Sequence, residues 1–410
     1  MKILFLSYYY KPDLSAGAFR STNLVQALLS LPQREVHIDV LASMPNRYGS
    51  FKVPIPQQER SDRHAVSRTP VAAHAGGFVA QARCYRPYAA AVLKHAKVHD
   101  YDLVYATSSR LMTAVLGARV ARIKKIPLYL DIRDIFVDTI GDVLPGLLGR
   151  AVAAMFRPLE GYALRTASTV NLVSPGFEDY FRRRYPRLRY TFFTNGIDPE
   201  FIEAARESLS ETAERRGDEP RPRGRPLRVV YAGNIGDGQG LHLVIPELAR
   251  RLGDRATFVV IGDGGRKQDL QRAVSTAGCG NVEVLPPVPR DQLITAYKGA
   301  DVLFLHLNDY PAFTRVLPSK IFEYAAMGKP VWAGVAGYAA RFVREKLTNS
   351  AVFPPCEPEA GIAALEALSL SQTDRSEFVG RFARTAICHA MAEDILSQAK
   401  PSFARGPNGD

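Results

Sequence analysis

The stretch Leu317-Pro318-Ser319-Lys320-Ile321-Phe322-Glu323-Tyr324-Ala325-Ala326-Met327-Gly328-Lys329-Pro330-Val331 sets a cation and a carboxylate at helical spacing. Ile321, Phe322, Ala325 and Ala326 fall on one helix face, Pro318 and Ser319 suit the first turn, and Gly328 followed by Pro330 ends it. The free amides and positive dipole end at such a start attract phosphate, and Lys320 stands beside them. Glu323, one turn on, can accept hydrogen bonds from a vicinal diol. The pattern therefore suits a nucleotide, with pyrophosphate at the helix start and ribose at the glutamate. The plainer alternative is an exposed i,i+3 ion pair contributing roughly a few tenths of a kcal/mol.

Three other groups of residues could do chemistry. Residues 228–233 read as a strand that runs into Asn234-Ile235-Gly236-Asp237-Gly238-Gln239-Gly240 and a helix over 243–252, a loop able to wrap a phosphate with backbone amides. No G-x-G-x-x-G is spelled there, which argues against a nicotinamide enzyme. Asp131-Ile132-Arg133-Asp134 follows the strand 127–130, at the carboxyl end where open α/β sheets place ligands; it can orient substrate hydroxyls or form a structural ion-pair knot. Gly17, in the loop after the first strand, allows close backbone approach, and Arg20 sits one turn into the next helix; a plain loop with a solvated arginine fits equally well. His306 ends the apolar run 302–305, where a lone histidine is more often structural. Asp100-Tyr101-Asp102 spells a metal-binding pattern but precedes its strand, the wrong end for a ligand, and is discounted. Cys84, Cys279, Cys356 and Cys388 show no metal-ligand spacing and read as reduced thiols.

These residues need strands and helices to hold them. Residues 3–6 form a continuous apolar run, as in a strand buried on both faces, and 36–41 alternate as a second strand. Residues 45–76 look loop-like, 77–98 return to helix, and 143–167 form a basic amphipathic helix with Arg150, Arg157 and Arg165. Five arginines between Tyr180 and Tyr190 interleave with aromatics, which suits nucleic-acid stacking, an anionic membrane footprint or an inert solvated face. The 410 residues are enough for two domains, and 46% hydrophobic content can fill their cores. A net charge of +12 favours nucleic acid, anionic lipid or phosphorylated substrates. The first residues are too short an apolar run for a signal sequence, and no segment reaches the roughly 18 apolar residues of a membrane span, so a cytoplasmic protein is expected.

Taken together, the motifs resemble family-4 retaining glycosyltransferases. The Pro-Ser-Lys-x-Phe-Glu run followed by Met-Gly-Lys-Pro is most similar to the N-acetyl-L-fucosamine transferase subgroup of O-antigen, capsule and lipopolysaccharide biosynthesis. Asn195-Gly196-Ile197-Asp198 resembles the segment that closes the family's first domain. The resemblance implies an α/β fold of the GT-B type, two facing Rossmann-like parallel-sheet domains with a C-terminal helix crossing back to the first. Residues 1–204, joined by the helix 377–398, would bind the acceptor; 205–226 would be a linker, 227–376 the nucleotide-sugar domain and 401–410 a tail.

By the same resemblance, the donor would meet Gly17, Gly233, Asn234, Gln239, Gly240, Val288, Arg315, Ser319, Lys320 and Glu323, with Pro286-Pro287-Val288-Pro289 clamping the nucleobase. Asp131, Arg133, Asp134 and Arg20 would line the acceptor side, and Lys320, Glu323 and Asp134 would be catalytic. Most relatives carry an arginine and a lysine where this chain has Asn234 and Gln239, and many have a second glutamate where it has Arg315. The implied reaction moves an N-acetylated or deoxy sugar from a UDP-sugar to a lipid-linked glycan with retention, without metal, cofactor or protein nucleophile, the donor phosphate acting as base. The implied setting is the cytoplasm, with peripheral attachment to an anionic inner membrane and no nucleic acid. A GT-B sugar-nucleotide epimerase and a non-catalytic nucleic-acid-binding protein are the competing readings.

Overall fold

The computed structural model describes residues 1–13, 15–32, 35–45, 54–71, 78–144, 146–214 and 224–398. They form two compact units, residues 1–194 with those from Thr385 onward, and residues 195–384. The Pro/Arg-rich part of the expected linker, 215–223, and the expected tail, 401–410, lie outside the described residues.

The first unit is built on strands β1 (Lys2–Leu6), β2 (His37–Ser43), β3 (Gln58–Arg60), β4 (His64–Thr69), β5 (Leu103–Thr107), β6 (Leu128–Ile132), β7 (Thr169–Leu172) and β8 (Arg189–Thr191). Their spatial order is β3-β4-β2-β1-β5-β6-β7-β8, parallel throughout except for the β3/β4 pair. Residues 58–69 thus form an edge hairpin where the sequence suggests only loop. Ile3 to Leu6 are fully buried, as helices on both faces of a parallel sheet require. Phe5 stacks on Tyr105 with ring centroids 4.1 Å apart. The helix Leu111–Lys124 comes close to β5 because Gly117 has no side chain: a Cβ there would stand 2.6 Å from that of Ala106.

The second unit carries β9 (Leu227–Asn234), β10 (Ala256–Asp263), β11 (Val282–Leu285), β12 (Val302–His306), β13 (Val331–Gly334) and β14 (Ser350–Phe353), all parallel, in the order β11-β10-β9-β12-β13-β14. Residues 195–204, expected with the first domain, pack here instead: Ile197 and Phe201 are fully buried, and Phe201 stacks on Tyr297. The helix Pro199–Glu214 also runs through the first half of the expected linker. At the other end, the single helix expected over 377–398 is two. Ser376–Arg381 packs Phe378 against Phe322 in the second unit, whereas Arg384–Gln398 buries Cys388, Met391 and Ile395 against Leu24 and Leu28 in the first. Between them Ala383 forms a single β-bridge with Ile197: Ile197 N–H donates to Phe382 O, and Arg384 N–H donates to Ile197 O, both 2.8 Å. Asp198, beside that bridge, takes ion pairs from both Arg384 and Arg290.

The carboxyl ends of β9 and β10 touch at glycines. Gly262 is the register partner of Gly233, and a Cβ on Gly262 would overlap the Gly233 carbonyl. Gly265, three residues further, has nothing within 4 Å of such a Cβ. Gly262→Ala should therefore cost about 2 kcal/mol or more, whereas Gly265→Ala should stay within about 0.5 kcal/mol of wild type in urea unfolding. Equal midpoints for the two variants would contradict the close approach.

Candidate functional site

In the second unit the organising residues converge on the end of β9. The helix Lys320–Ala326 makes about two turns; Ile321, Phe322, Tyr324 and Ala325 are buried in the core, and Ser319 at its N-cap makes no capping bond with its side chain. Lys320 reaches back to β9. A Cβ on Gly233 would overlap Lys320 Cε and Nζ, so the ammonium occupies space that only glycine leaves open. Its Nζ also lies 5.7 Å from the Tyr231 ring centroid. The side chain is packed among protein atoms with part of its surface still open to solvent; burial pushes its pKa down and the Glu323 carboxylate opposes that shift. Glu323 accepts a 3.4 Å hydrogen bond from Tyr297 OH, and Tyr324 OH accepts from Ala232 N–H at 3.2 Å, fixing the helix to β9. Tyr231 and Tyr297 escape sequence reasoning because each reads simply as an apolar core position.

The glycine-rich loop beyond β9 is held by its own polar groups. Asn234 Nδ2 donates to Gln239 Oε1 at 2.6 Å, and Gly236 N–H donates to the same oxygen at 3.2 Å, so these two expected ligand residues close the loop on itself. Gly240 is left-handed, φ +58°, and a Cβ there would lie 3.0 Å from Asn308 Cγ. Asn308 in turn donates through Nδ2 to Asp237 O at 2.9 Å. His306 is structural: its Nε2 accepts from Cys356 N–H at 3.0 Å, which leaves Nδ1–H to donate to Gln239 O at 2.7 Å. Burial without a counter-charge holds it neutral, its pKa pulled down to about 4. Val288 packs half-buried against the core between β11 and the helix Arg290–Lys298. Arg315 ends the short turn Pro311–Arg315.

In the first unit the structure separates residues that the sequence groups together. Arg20 and Asp131 are each about 1% exposed and bind one another through Nε to Oδ2 (2.8 Å) and Nη2 to Oδ1 (3.1 Å). Arg20 also donates to the carbonyls of Phe193 and Thr194, and Asp131 also accepts from Tyr105 OH and Asn171 Nδ2. Every side-chain oxygen and most guanidinium hydrogens are thus used inside the protein, and the pair is the ion-pair knot rather than a surface for an acceptor. Arg133 Nη1 lies 4.0 Å from Asp131, and its backbone N–H donates to Ser108 Oγ at 2.8 Å. Asp134 is exposed. Gly17 lies in this unit, close enough to Ser109 that a Cβ would come within 3.0 Å of its Oγ. Among the described residues, no three His, Cys, Asp or Glu side chains are grouped to hold a metal.

A carboxyl that the sequence does not single out lies under Asp134. Glu160, on the helix Gly146–Thr166, is buried and shares a small cavity with Ser108 and Asp134; it accepts from Tyr180 OH at 3.2 Å. Burial raises its pKa to about 7. A raised folded-state pKa gives stability that is present below the unfolded value, near 4.5, and lost as the pH rises through about 7. Glu160→Gln should therefore gain on wild type from pH 5 to pH 8, by up to about 3 kcal/mol in urea unfolding. A difference that does not change with pH would refute the shift.

Residues 21–196 match the model of the glycosyl transferase 4-like domain, and residues 226–370 that of the glycosyl transferases group 1. A stretch of 101 residues is 37% identical to WcaI of Escherichia coli (strain K12), named as a colanic acid biosynthesis glycosyl transferase; it covers 24% of this chain and 24% of WcaI, so the match spans only about a quarter of that relative. HepE of Anabaena, solved with UDP and glucose, superposes with a TM-score of 0.63 at 20% identity over 97% of this chain and 100% of HepE. WaaG, described as a glycosyltransferase involved in lipopolysaccharide biosynthesis, superposes with a TM-score of 0.62 at 15% identity over 97% of each chain. These two share the GT-B fold of paired parallel-sheet domains. With one matching model on each half of that fold, the chain belongs to the glycosyltransferases, a 4-like domain followed by a group 1 domain.

Proposed function

We propose that this protein transfers a sugar from a UDP-sugar to a lipid-linked glycan acceptor in surface polysaccharide synthesis, with retention of anomeric configuration. The observation that carries the reading is Lys320 seated against Gly233, with Glu323 one turn further on the same helix. Glu323 would hold the ribose hydroxyls and Val288 the base. HepE, with its UDP, supports the choice of nucleotide, and WcaI supports the polysaccharide setting. The donor would be an N-acetylated or deoxy sugar, as in the fucosamine transferase subgroup that residues 318–330 resemble.

The chemistry follows from where charge develops. As the bond from the anomeric carbon to the diphosphate breaks, negative charge grows on the leaving phosphate. Lys320 is already stripped of much of its water, so it stabilises that charge without having to be desolvated at that moment. The amides of Ile235, Gly236, Gln239 and Gly240 are already bonded within the fold, so the loop would add donors only through its other amides, together with the hydroxyl of Ser319. The donor phosphate accepts the proton of the incoming acceptor hydroxyl, and the new bond forms on the face the phosphate leaves, which gives retention. Asp134 and Arg133 would orient the acceptor, while the Arg20–Asp131 pair fixes the turn that presents them.

Thermal-shift panels of UDP-, GDP-, dTDP- and ADP-sugars should show stabilisation by UDP-sugars alone. At a hundred times the dissociation constant the gain is roughly 2.7 kcal/mol, and Glu323→Ala should remove it. Lys320→Ala should lower kcat by about a hundredfold, and activity should survive EDTA. Sugar release that ignores the acceptor would favour an epimerase. No shift with any sugar nucleotide would end the donor reading.

Attachment to an anionic membrane is favoured by one surface. On the helix Gly146–Thr166, Leu147, Leu148 and Met155 are 81%, 59% and 58% exposed, beside exposed Arg150 and Arg157. The arginine cluster at 182–189 is less available than its sequence suggests: Arg182 pairs with Glu178, Arg184 stacks on Tyr180 and Arg189 pairs with Asp394. No described helix is long and apolar enough to cross a membrane. Sedimentation with phosphatidylglycerol-containing vesicles should weaken at least about tenfold when Leu147, Leu148 and Met155 become Gln, and should change little on charge reversal of Arg182 and Arg184. The opposite ranking would move the footprint to the arginine cluster.

A further inference from the structure

Arg375 is 6% exposed and, among the described residues, no carboxylate pairs with its guanidinium. Instead its guanidinium makes five hydrogen bonds to backbone carbonyls: Nε and Nη2 to Thr348 O (3.1 and 2.7 Å), Nη2 to Asn349 O (3.1 Å), and Nη1 to Ala325 O (3.3 Å) and Lys329 O (3.0 Å). All five donors are used, so the group is not a ligand site. The carbonyls come from three places: the last turn of the helix Lys320–Ala326, the approach to β13 and the approach to β14. The same strand of chain also holds Gln372 Nε2 to Met327 O at 2.8 Å and Thr373 N–H to Gly328 O at 2.9 Å.

The chemistry of this arrangement is costly. A buried guanidinium without a counter-ion loses hydration that an apolar side chain of the same shape would not, and burial alone draws its pKa down to about 10. What the charge supplies is a cap on the negative end of the helix dipole together with a fixed, planar fork. Glu323 stands two residues before Ala325, about 3 Å back along the axis, and Lys320 stands at the opposite end, about 8 Å away. Lys320 Cε and Nζ lie where a Cβ on residue 233 would stand, so an axial shift of the helix would move the ammonium along that backbone.

We propose that Arg375 is a positioning residue for donor transfer: by anchoring the carboxyl end of the helix Lys320–Ala326 it sets where Glu323, within one turn of the anchor, and Lys320, at the other end, stand. The inference rests on the donor roles proposed above for those two residues. Small displacements at reacting groups cost large factors in rate, so loss of the anchor is expected in turnover and not only in stability.

The test compares Arg375→Met and Arg375→Lys with Leu365→Ala, a destabilising control in the other core cluster of the same unit. All are assayed with a UDP-sugar at a temperature where each is fully folded. Arg375→Met should lose at least about tenfold in donor kcat/KM, with the acceptor KM unchanged. Arg375→Lys should fall between it and wild type, and Leu365→Ala should match wild type. A cavity of about 210 Å³ beside Arg375, lined also by Ala326, Gly328 and Gln372, would admit guanidinium, which should restore part of the lost rate in Arg375→Met. Wild-type turnover in the folded Arg375 variants, or an equal loss in Leu365→Ala, would overturn the proposal. A second arm needs no donor: amide hydrogen exchange across residues 320–326 should quicken in both Arg375 variants and not in Leu365→Ala. Unchanged exchange would also overturn it, whereas a wild type that turns over no UDP-sugar counts against the donor reading and leaves the exchange arm to decide this one.

Discussion

A side-chain methyl at residue 233 and the ammonium of Lys320 cannot occupy the same space, and much of the second unit is arranged around that exclusion. Because residue 233 is glycine, the lysine can lie against the end of β9; because residue 262 is glycine as well, β10 can follow β9 closely to that same end. Tyr231 forms one wall for the lysine, and Tyr324 ties the helix to the strand. The loop that follows is shaped by Asn234, Gln239 and Asn308, and its Asp237 pairs with Arg266 at 2.9 Å. The phosphate site proposed here would thus be built largely from absent side chains and backbone, with the Lys320 ammonium against Gly233.

The protein deals with its other buried charges in four different ways. Arg20 and Asp131 neutralise each other within a complete set of hydrogen bonds. Arg375 is satisfied by carbonyl dipoles alone. His306 stays neutral, with both ring nitrogens engaged, and Glu160 is driven toward its neutral form by burial. Low local dielectric makes each arrangement stiff, since breaking one partner exposes an uncompensated group. The stiff points lie next to the residues proposed to meet the donor and the acceptor, where position matters most.

The run at 317–331 was legible because helix signals, a basic residue and a carboxylate occur within one local stretch, and the parallel sheets were legible from apolar runs such as residues 3–6. The paired partners were not. Arg20 and Asp131 are 111 positions apart, and nothing local to either tells that each would exhaust the other. The same limit hid the role of Arg375, which reads as one more charge before a short helix, and of Tyr297, whose hydroxyl meets Glu323 only after folding. It also misjudged the C-terminal helix: the apolar spacing over 377–398 is continuous, but the backbone opens at Phe382 to bridge Ile197, a contact made from far along the chain.

That bridge has a topological meaning. The second unit begins at residue 195 and ends at residue 384, and these two ends are joined to each other by paired backbone hydrogen bonds and by Asp198. It is an insertion whose entrance and exit are already fastened side by side, so its sheet closes without any strand lent from outside. The first unit, in contrast, is discontinuous in sequence: Met391 and Ile395 enter its core only after the whole of the second has been made. In synthesis from the ribosome, the domain that starts first is therefore the one that must wait for the last helix to be finished.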